Sequence, residues 1–112
     1  MNRLDNHYQR ALESFLSYMH VERNFSANTR ESYNNDLRRY LLFMQQNSRP
    51  LEAITTSHIE EFITGLYSIG LEASSMARNI SAIRSFHKFL VNERTLKANP
   101  AETLHQLSLI HI

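Results

Sequence analysis

The sequence predicts an all-α domain, a compact four-helix bundle, and three observations carry that expectation. Apolar residues recur at three- and four-residue spacing in four separate stretches. Glycine and proline occur only twice each in 112 residues, too few turn formers for an all-β chain. No stretch alternates apolar and polar residues as a half-buried strand does, and there is no internal repeat or low-complexity segment.

The first helix is expected from about Leu4 to Val21, with Tyr8, Ala11, Leu12, Phe15 and Met19 on one face. It ends at Glu22-Arg23-Asn24, where asparagine tolerates a left-handed turn. Ser26 or Asn28 caps the second helix, Asn28 pairing loosely with Glu31 as a capping box. That helix carries Tyr33, Leu37, Tyr40, Leu41 and Met44 on one face and Glu31, Asn34, Asn35, Arg38 and Gln45 on the other. Asn47-Ser48-Arg49-Pro50 stops it, and Leu51 to Ile54 is a connector. Thr55, Thr56 and Ser57 are three possible caps for the third helix, Ser57 with Glu60 forming a capping box; its first turn is acidic, and Ile59, Phe62, Ile63 and Leu66 point inward. Gly70 closes it.

Ser74 or Ser75 opens the fourth helix, which runs to about Glu93. At 100° per residue Met76, Ile80, Ile83, Phe86 and Leu90 share one side. Arg78, Ser81, Arg84, Ser85 and Lys88 fall within about a third of the circumference on the other. This polar side is cationic and rich in hydroxyls, with no acid among those five residues. Asn99-Pro100 marks a break, after which Ala101 to Leu107 adds at most a short fifth helix.

Composition excludes several classes of function. The absence of cysteine removes disulfides, thiol catalysis and the usual zinc finger. No run approaches the length of a membrane span, and the amino terminus leads into no apolar signal region. A soluble, cytoplasmic, single-domain protein is expected. The six histidines, His7, His20, His58, His87, His105 and His111, form no His-x-x-x-His pair. His87 projects onto the apolar side of its helix and reads as a hydrogen-bonded core or interface histidine. Glu60 and Glu61 are consecutive and do not share a helix face. With only Gly65 and Gly70, there is no phosphate-cradling glycine loop, and no serine sits in a nucleophile elbow. No cofactor or metal is implied.

Charge is nearly balanced overall, at +1, but uneven along the chain. Residues 1–50 carry net +2, residues 51–72 net −4 and residues 73–100 net +4. The last of these is a candidate contact surface for a polyanion or, equally, a solvated helix face.

Two segments, 15–37 and 74–90, carry a more specific likeness. Its elements are Glu22-Arg23-Asn24, then Thr29, Tyr33 and Asp36-Leu37, then Arg78, Ser81-Ala82-Ile83-Arg84 and Phe86, and finally Asn99-Pro100. Over roughly residues 5–104 these resemble the amino-terminal, SAM-like core-binding domain of tyrosine site-specific recombinases, the phage-integrase and Xer group.

The resemblance implies a four-helix domain that forms half of a clamp around double-stranded DNA at a recombination half-site. It also implies that catalysis resides in a carboxy-terminal domain absent from this chain, so that the chain is no enzyme by itself. Residues 1–106 would be the clamp domain and 107–112 a tail or truncated linker. Tyr8, Tyr18, Tyr33, Tyr40 and Tyr67 all lie within its helices, so none is the nucleophile, and Tyr33 and Tyr40 read as core. In such domains the second and fourth helices approach the major groove, while the acidic third helix here would face away.

On that basis Arg78, Arg84 and Lys88 are expected to contact phosphates. Ser81 and Ser85 lie among them, and Thr29 and Ser75, at helix starts, would add hydroxyl and N–H donors. Asn34, Asn35 and Arg38 would reach base edges, and Arg30 would serve in either role. The other expected partners are recombinase protomers in a full-length tetramer, the isolated domain being a monomer or weak dimer. Five phosphate contacts would give a log–log salt slope of about −4.5.

Two other readings compete. A helical protein-interaction module without nucleic-acid binding predicts an exposed apolar patch. A small helical enzyme or ligand-binding domain requires a polar-lined pocket that the sequence does not announce.

Overall fold

The computed structural model describes residues 3–22, 24–93, 96 and 98–102. Four helices follow in chain order: α1 (Asn6–Val21), α2 (Ala27–Gln46), α3 (Thr56–Ser68) and α4 (Ala73–Asn92), with a 3₁₀ turn at Leu51–Ala53. No strand occurs among the described residues, and the all-α, four-helix expectation holds. The radius of gyration, 13.3 Å, is close to the ~13 Å of a packed 100-residue domain.

The apolar stripes read from the sequence are the buried ones, apart from Ala11 and Tyr33, which are half-buried against the core. Tyr8, Leu12, Phe15 and Met19 of α1 meet Leu37, Tyr40, Leu41 and Met44 of α2 and Ile59, Phe62, Ile63 and Leu66 of α3 in one core. α4 is the most embedded helix, with nine of its 20 residues buried. Phe15 stands edge-on to Phe86 at 5.7 Å and tilted on Phe89 at 5.5 Å, joining α1 to α4. Tyr40 meets Phe62 edge-on at 5.3 Å, joining α2 to α3. Each fully buried side chain of this kind stabilises the fold by about 1.5–3 kcal/mol. Because α4 is held on most sides, only one outward strip of it is left to solvent.

The helix ends differ from the sequence reading in detail. α1 starts at Asn6, not Leu4, and closes at Glu22, whose backbone is already extended, two residues before Asn24. Of the two candidate caps for α2, Ser26 serves: its Oγ accepts the Thr29 N–H at 3.1 Å. Of the three candidate caps for α3, Thr55 serves, and the capping box pairs Thr55 with His58, not Ser57 with Glu60. The His58 N–H donates to Thr55 Oγ1 at 3.2 Å and the Thr55 N–H donates back to His58 Nδ1 at 3.1 Å. Glu60 therefore falls beyond the first turn, which contains no acid. α4 begins at Ala73 behind Glu72, with no side-chain cap at all, so Ser74 and Ser75 lie inside the helix. Gly70 does close α3: it sits at φ +81°, with the Leu71 N–H bonded to the Leu66 carbonyl. After α4, the Asn99 side chain accepts the Ala101 N–H at 2.8 Å and ends the described chain in a tight turn. Residues 103–112, including the rest of the expected fifth helix and the 107–112 tail, lie outside the described residues.

Candidate nucleic-acid interface

The outward strip of α4 is where sequence and structure meet. Arg84 and Lys88 are exposed and have no carboxylate within ion-pair distance among the described residues. Ser81 and Ser85 are half-buried beside them. These four residues line one open groove of about 510 Å³, completed by Val91, Asn92, Asn99 and Glu102. The turn after α4 thus adds Asn99 and Glu102 to the lining, so an acidic residue shares the groove with the cationic strip. The sequence reading had no acid on this face; helix projection cannot reveal one supplied by another segment.

Arg78 has a different situation from its neighbours. Its Nε donates to Asp36 Oδ2 at 2.7 Å and its Nη2 to Asp36 Oδ1 at 3.1 Å, a two-bond fork from α4 to α2. The Asp36 side chain is 3% exposed and that of Arg78 42%. The hydrogen bonds to Asp36 raise the Arg78 guanidinium above its ordinary value. Beside the pair stands Tyr33, whose phenol is raised by burial first and by the Asp36 charge second, with the Ser81 hydroxyl and Arg78 acting in the opposite sense. Asp36, Tyr33, Arg78 and Ser81 are therefore the seam between α2 and α4. Asp36 was missed as a partner, although a carboxylate adjoining the stripe of Tyr33, Leu37 and Tyr40 is itself the signal that a cation must answer it.

The remaining candidates are brought together only in part. Thr29 belongs to the α2 cap, its Oγ1 accepting from the Ser26 hydroxyl at 2.9 Å. Arg30 donates to the Phe25 carbonyl at 3.1 Å and fastens the turn before α2. Arg38 donates to Gln9 Oε1 of α1 at 3.3 Å. Asn34 is half-buried, its Oδ1 enclosed without a partner among the described residues, while Asn35 is exposed. Ser75 is half-buried in the first turn of α4 and its carbonyl accepts from Asn79.

The other titratable groups are structural in their surroundings. His87 is fully buried and shares a 2.6 Å hydrogen bond with the Tyr40 hydroxyl, so its place in the core was legible. Burial pushes its imidazole down to about 4 and pushes the Tyr40 phenol well above its usual range. Tyr40 is core as expected, whereas Tyr33 lies at the rim. Tyr8 is buried with its hydroxyl on the Arg49 carbonyl, and Tyr18 and Tyr67 are exposed. Glu61 of α3 accepts two bonds from Arg49 Nη2, at 2.9 and 3.1 Å. Among the described residues no group of three or more His, Cys, Asp or Glu side chains is placed to hold a metal. No described helix is long and apolar enough to cross a membrane.

Fold and face together define a small helical domain with one cationic, hydroxyl-bearing strip on its most embedded helix. The chain belongs to the phage integrase N-terminal SAM-like domain family, whose profile matches residues 12–94. It is similar to the tyrosine recombinase XerD of Chlorobaculum tepidum, with 55% identity over 102 residues, covering 91% of this chain and 34% of the relative. It is also similar to the tyrosine recombinase XerC of Halalkalibacterium halodurans, with 35% identity over 84% of this chain and 31% of the relative. The XerD of Oceanobacillus iheyensis shares 34% identity over 81% of this chain and 31% of its own length. The chain thus spans about a third of the length of these curated relatives. No solved structure matches it.

Proposed function

We propose that this domain binds double-stranded DNA as the amino-terminal clamp half of a site-specific tyrosine recombinase. The observation that carries the reading is the exposed strip of Arg84 and Lys88 with Ser81 and Ser85, on which neither cation has a carboxylate partner among the described residues. Arg84 and Lys88 supply phosphate neutralisation and counterion release. The serine hydroxyls, with Ser75 and Thr29 at helix starts, supply neutral donors that fix register on the duplex. Asn35, exposed on α2, would read base edges. Arg78 contributes through its bond to Asp36, which ties the two helices. Strand cleavage belongs to the part of the recombinase beyond this chain, in a cytoplasmic tetramer on paired sites.

The test is fluorescence anisotropy of the 112-residue chain on a labelled mixed-sequence duplex across a salt series, beside an Arg84→Ala/Lys88→Ala variant. Binding should fall steeply with salt, and the double variant should flatten the log–log slope by about 1.8, two contacts at about 0.9 each. Salt-independent binding, or an unchanged slope in a variant with unchanged melting, refutes the reading. The competing protein-interaction module draws on Tyr18, Val21, Tyr67 and Ile69, which are exposed near the carboxy-terminal ends of α1 and α3. Absence of DNA binding would favour it.

A further inference from the structure

α2 carries two adjacent arginines, and the structure separates them. Arg38 donates to Gln9, so that side of α2 faces α1. Asp36 receives Arg78, so that side faces α4. Between these fixed points helical geometry places every other residue. At 100° and 1.5 Å per residue, Arg39 lies about 60° round the helix from Asp36 and about 4.5 Å along it. Arg38 lies about 160° from Asp36, nearly opposite. Arg39 is exposed and, among the described residues, makes no ion pair and no side-chain hydrogen bond. It lies nearer than Arg38 to the side of α2 that meets α4, because Arg78, which edges the α4 strip, bonds Asp36, about 60° away.

We infer that Arg39, not Arg38, is the arginine of α2 that meets the DNA backbone, so that phosphates are gripped by Arg39, Arg84 and Lys88. This rests on the DNA-binding reading above and names the α2 residue that completes it. Arg38 is a positioning residue: it docks α2 on α1 and meets no phosphate.

The experiment compares Arg39→Gln, Arg38→Gln and Arg84→Gln in the full 112-residue chain, by anisotropy on the same duplex over a salt series, with each melting curve recorded. Arg39→Gln should lower affinity roughly five- to tenfold near 0.1 M salt and flatten the slope by about 0.9, with unchanged melting. Arg38→Gln should leave the slope unchanged, whatever it does to melting. If Arg84→Gln flattens the slope and Arg39→Gln does not, the inference about α2 fails while the DNA reading stands. If Arg38→Gln flattens it instead, the assignment of the two arginines is reversed and the inference is overturned. If no chain binds, or none shows a salt slope, both fall together.

Discussion

Removing Arg78 should damage the fold before it touches any phosphate. Arg78→Ala leaves the Asp36 carboxylate, 3% exposed, without its two donors at 2.7 and 3.1 Å. Breaking a fully buried pair from one side costs about 3–5 kcal/mol, because the surviving charge stays desolvated. An exposed pair is worth less than about 1 kcal/mol. The Arg78 side chain is 42% exposed, so water reaches the pair from one side and takes over part of the solvation. The expected loss lies between these limits, at about 2 kcal/mol, or a fall in Tm of roughly 10 °C for a domain of this size. Asp36→Asn keeps the shape and removes the charge, and should cost about 1 kcal/mol. The assay is chemical denaturation of both single variants and the double variant at constant salt. The double variant should be less destabilised than the sum of the singles, since it leaves no orphaned charge.

The same variants decide what Arg78 does on DNA. If it acts by fixing α2 against α4, Arg78→Ala and Asp36→Asn both weaken binding and neither changes the salt slope. A Tm within 1 °C of the parent, together with a slope flatter by about 0.9 in Arg78→Ala, would refute the interhelical role and make Arg78 a direct phosphate contact.

Two further changes test other parts of the fold. His87 is neutral inside the core, its imidazole held down near 4 by burial, whereas the unfolded chain takes up that proton near 6.5. The unfolded state therefore binds more protons between those values, so stability is full above about pH 7 and falls as pH drops towards 4, by up to about 3 kcal/mol. His87→Gln, which can still hydrogen-bond Tyr40 in either direction, should abolish that part of the difference between urea midpoints at pH 7.5 and 4.5; an unchanged pH dependence would contradict the burial argument. Gly70→Ala meets no atom within 4 Å of the new Cβ, yet the residue sits at φ +81°. The cost should be purely conformational, about 1 kcal/mol by denaturation, and a neutral result would mean that the turn re-forms another way.

The helices were legible because burial imposes the spacing that reveals them. Leu12, Phe15 and Met19, or Ile80, Ile83 and Leu90, have a role that depends only on their own helix and on there being a core. The caps were less so. Thr55, Thr56 and Ser57 are three adjacent hydroxyls of similar chemistry, which local sequence does not rank, and Thr55 is the one that caps. At α4 the serines are plausible caps by type, but the helix begins behind Glu72 without a side-chain cap. The candidate site was legible as a strip and not as a set of occupations. Periodicity places Arg78 on the polar side correctly, but its partner is 42 residues away on another helix. Likewise Glu102 enters the groove from the turn after α4.

If the domain binds DNA as proposed, these occupations change how strongly it should hold it. α2 and α4 together carry six cations: Arg30, Arg38, Arg39, Arg78, Arg84 and Lys88. Three of them donate to acceptors within the protein, Arg30 to a carbonyl, Arg38 to an amide and Arg78 to a carboxylate. Arg39, Arg84 and Lys88 remain. Three phosphate contacts give a slope of about −2.7, in place of the −4.5 that five would give. On the proposed reading, a grip that weak on its own would suit one half of a clamp, because a tethered second half would raise the effective local concentration of the first and bind jointly with it. It also leaves the Asp36–Arg78 tie free to set the angle between α2 and α4. A measured slope near −2.7 would fit that division of labour. A slope near −4.5 would mean that Arg38 and Arg78 abandon Gln9 and Asp36 when DNA arrives, and that the seam between the helices opens on binding.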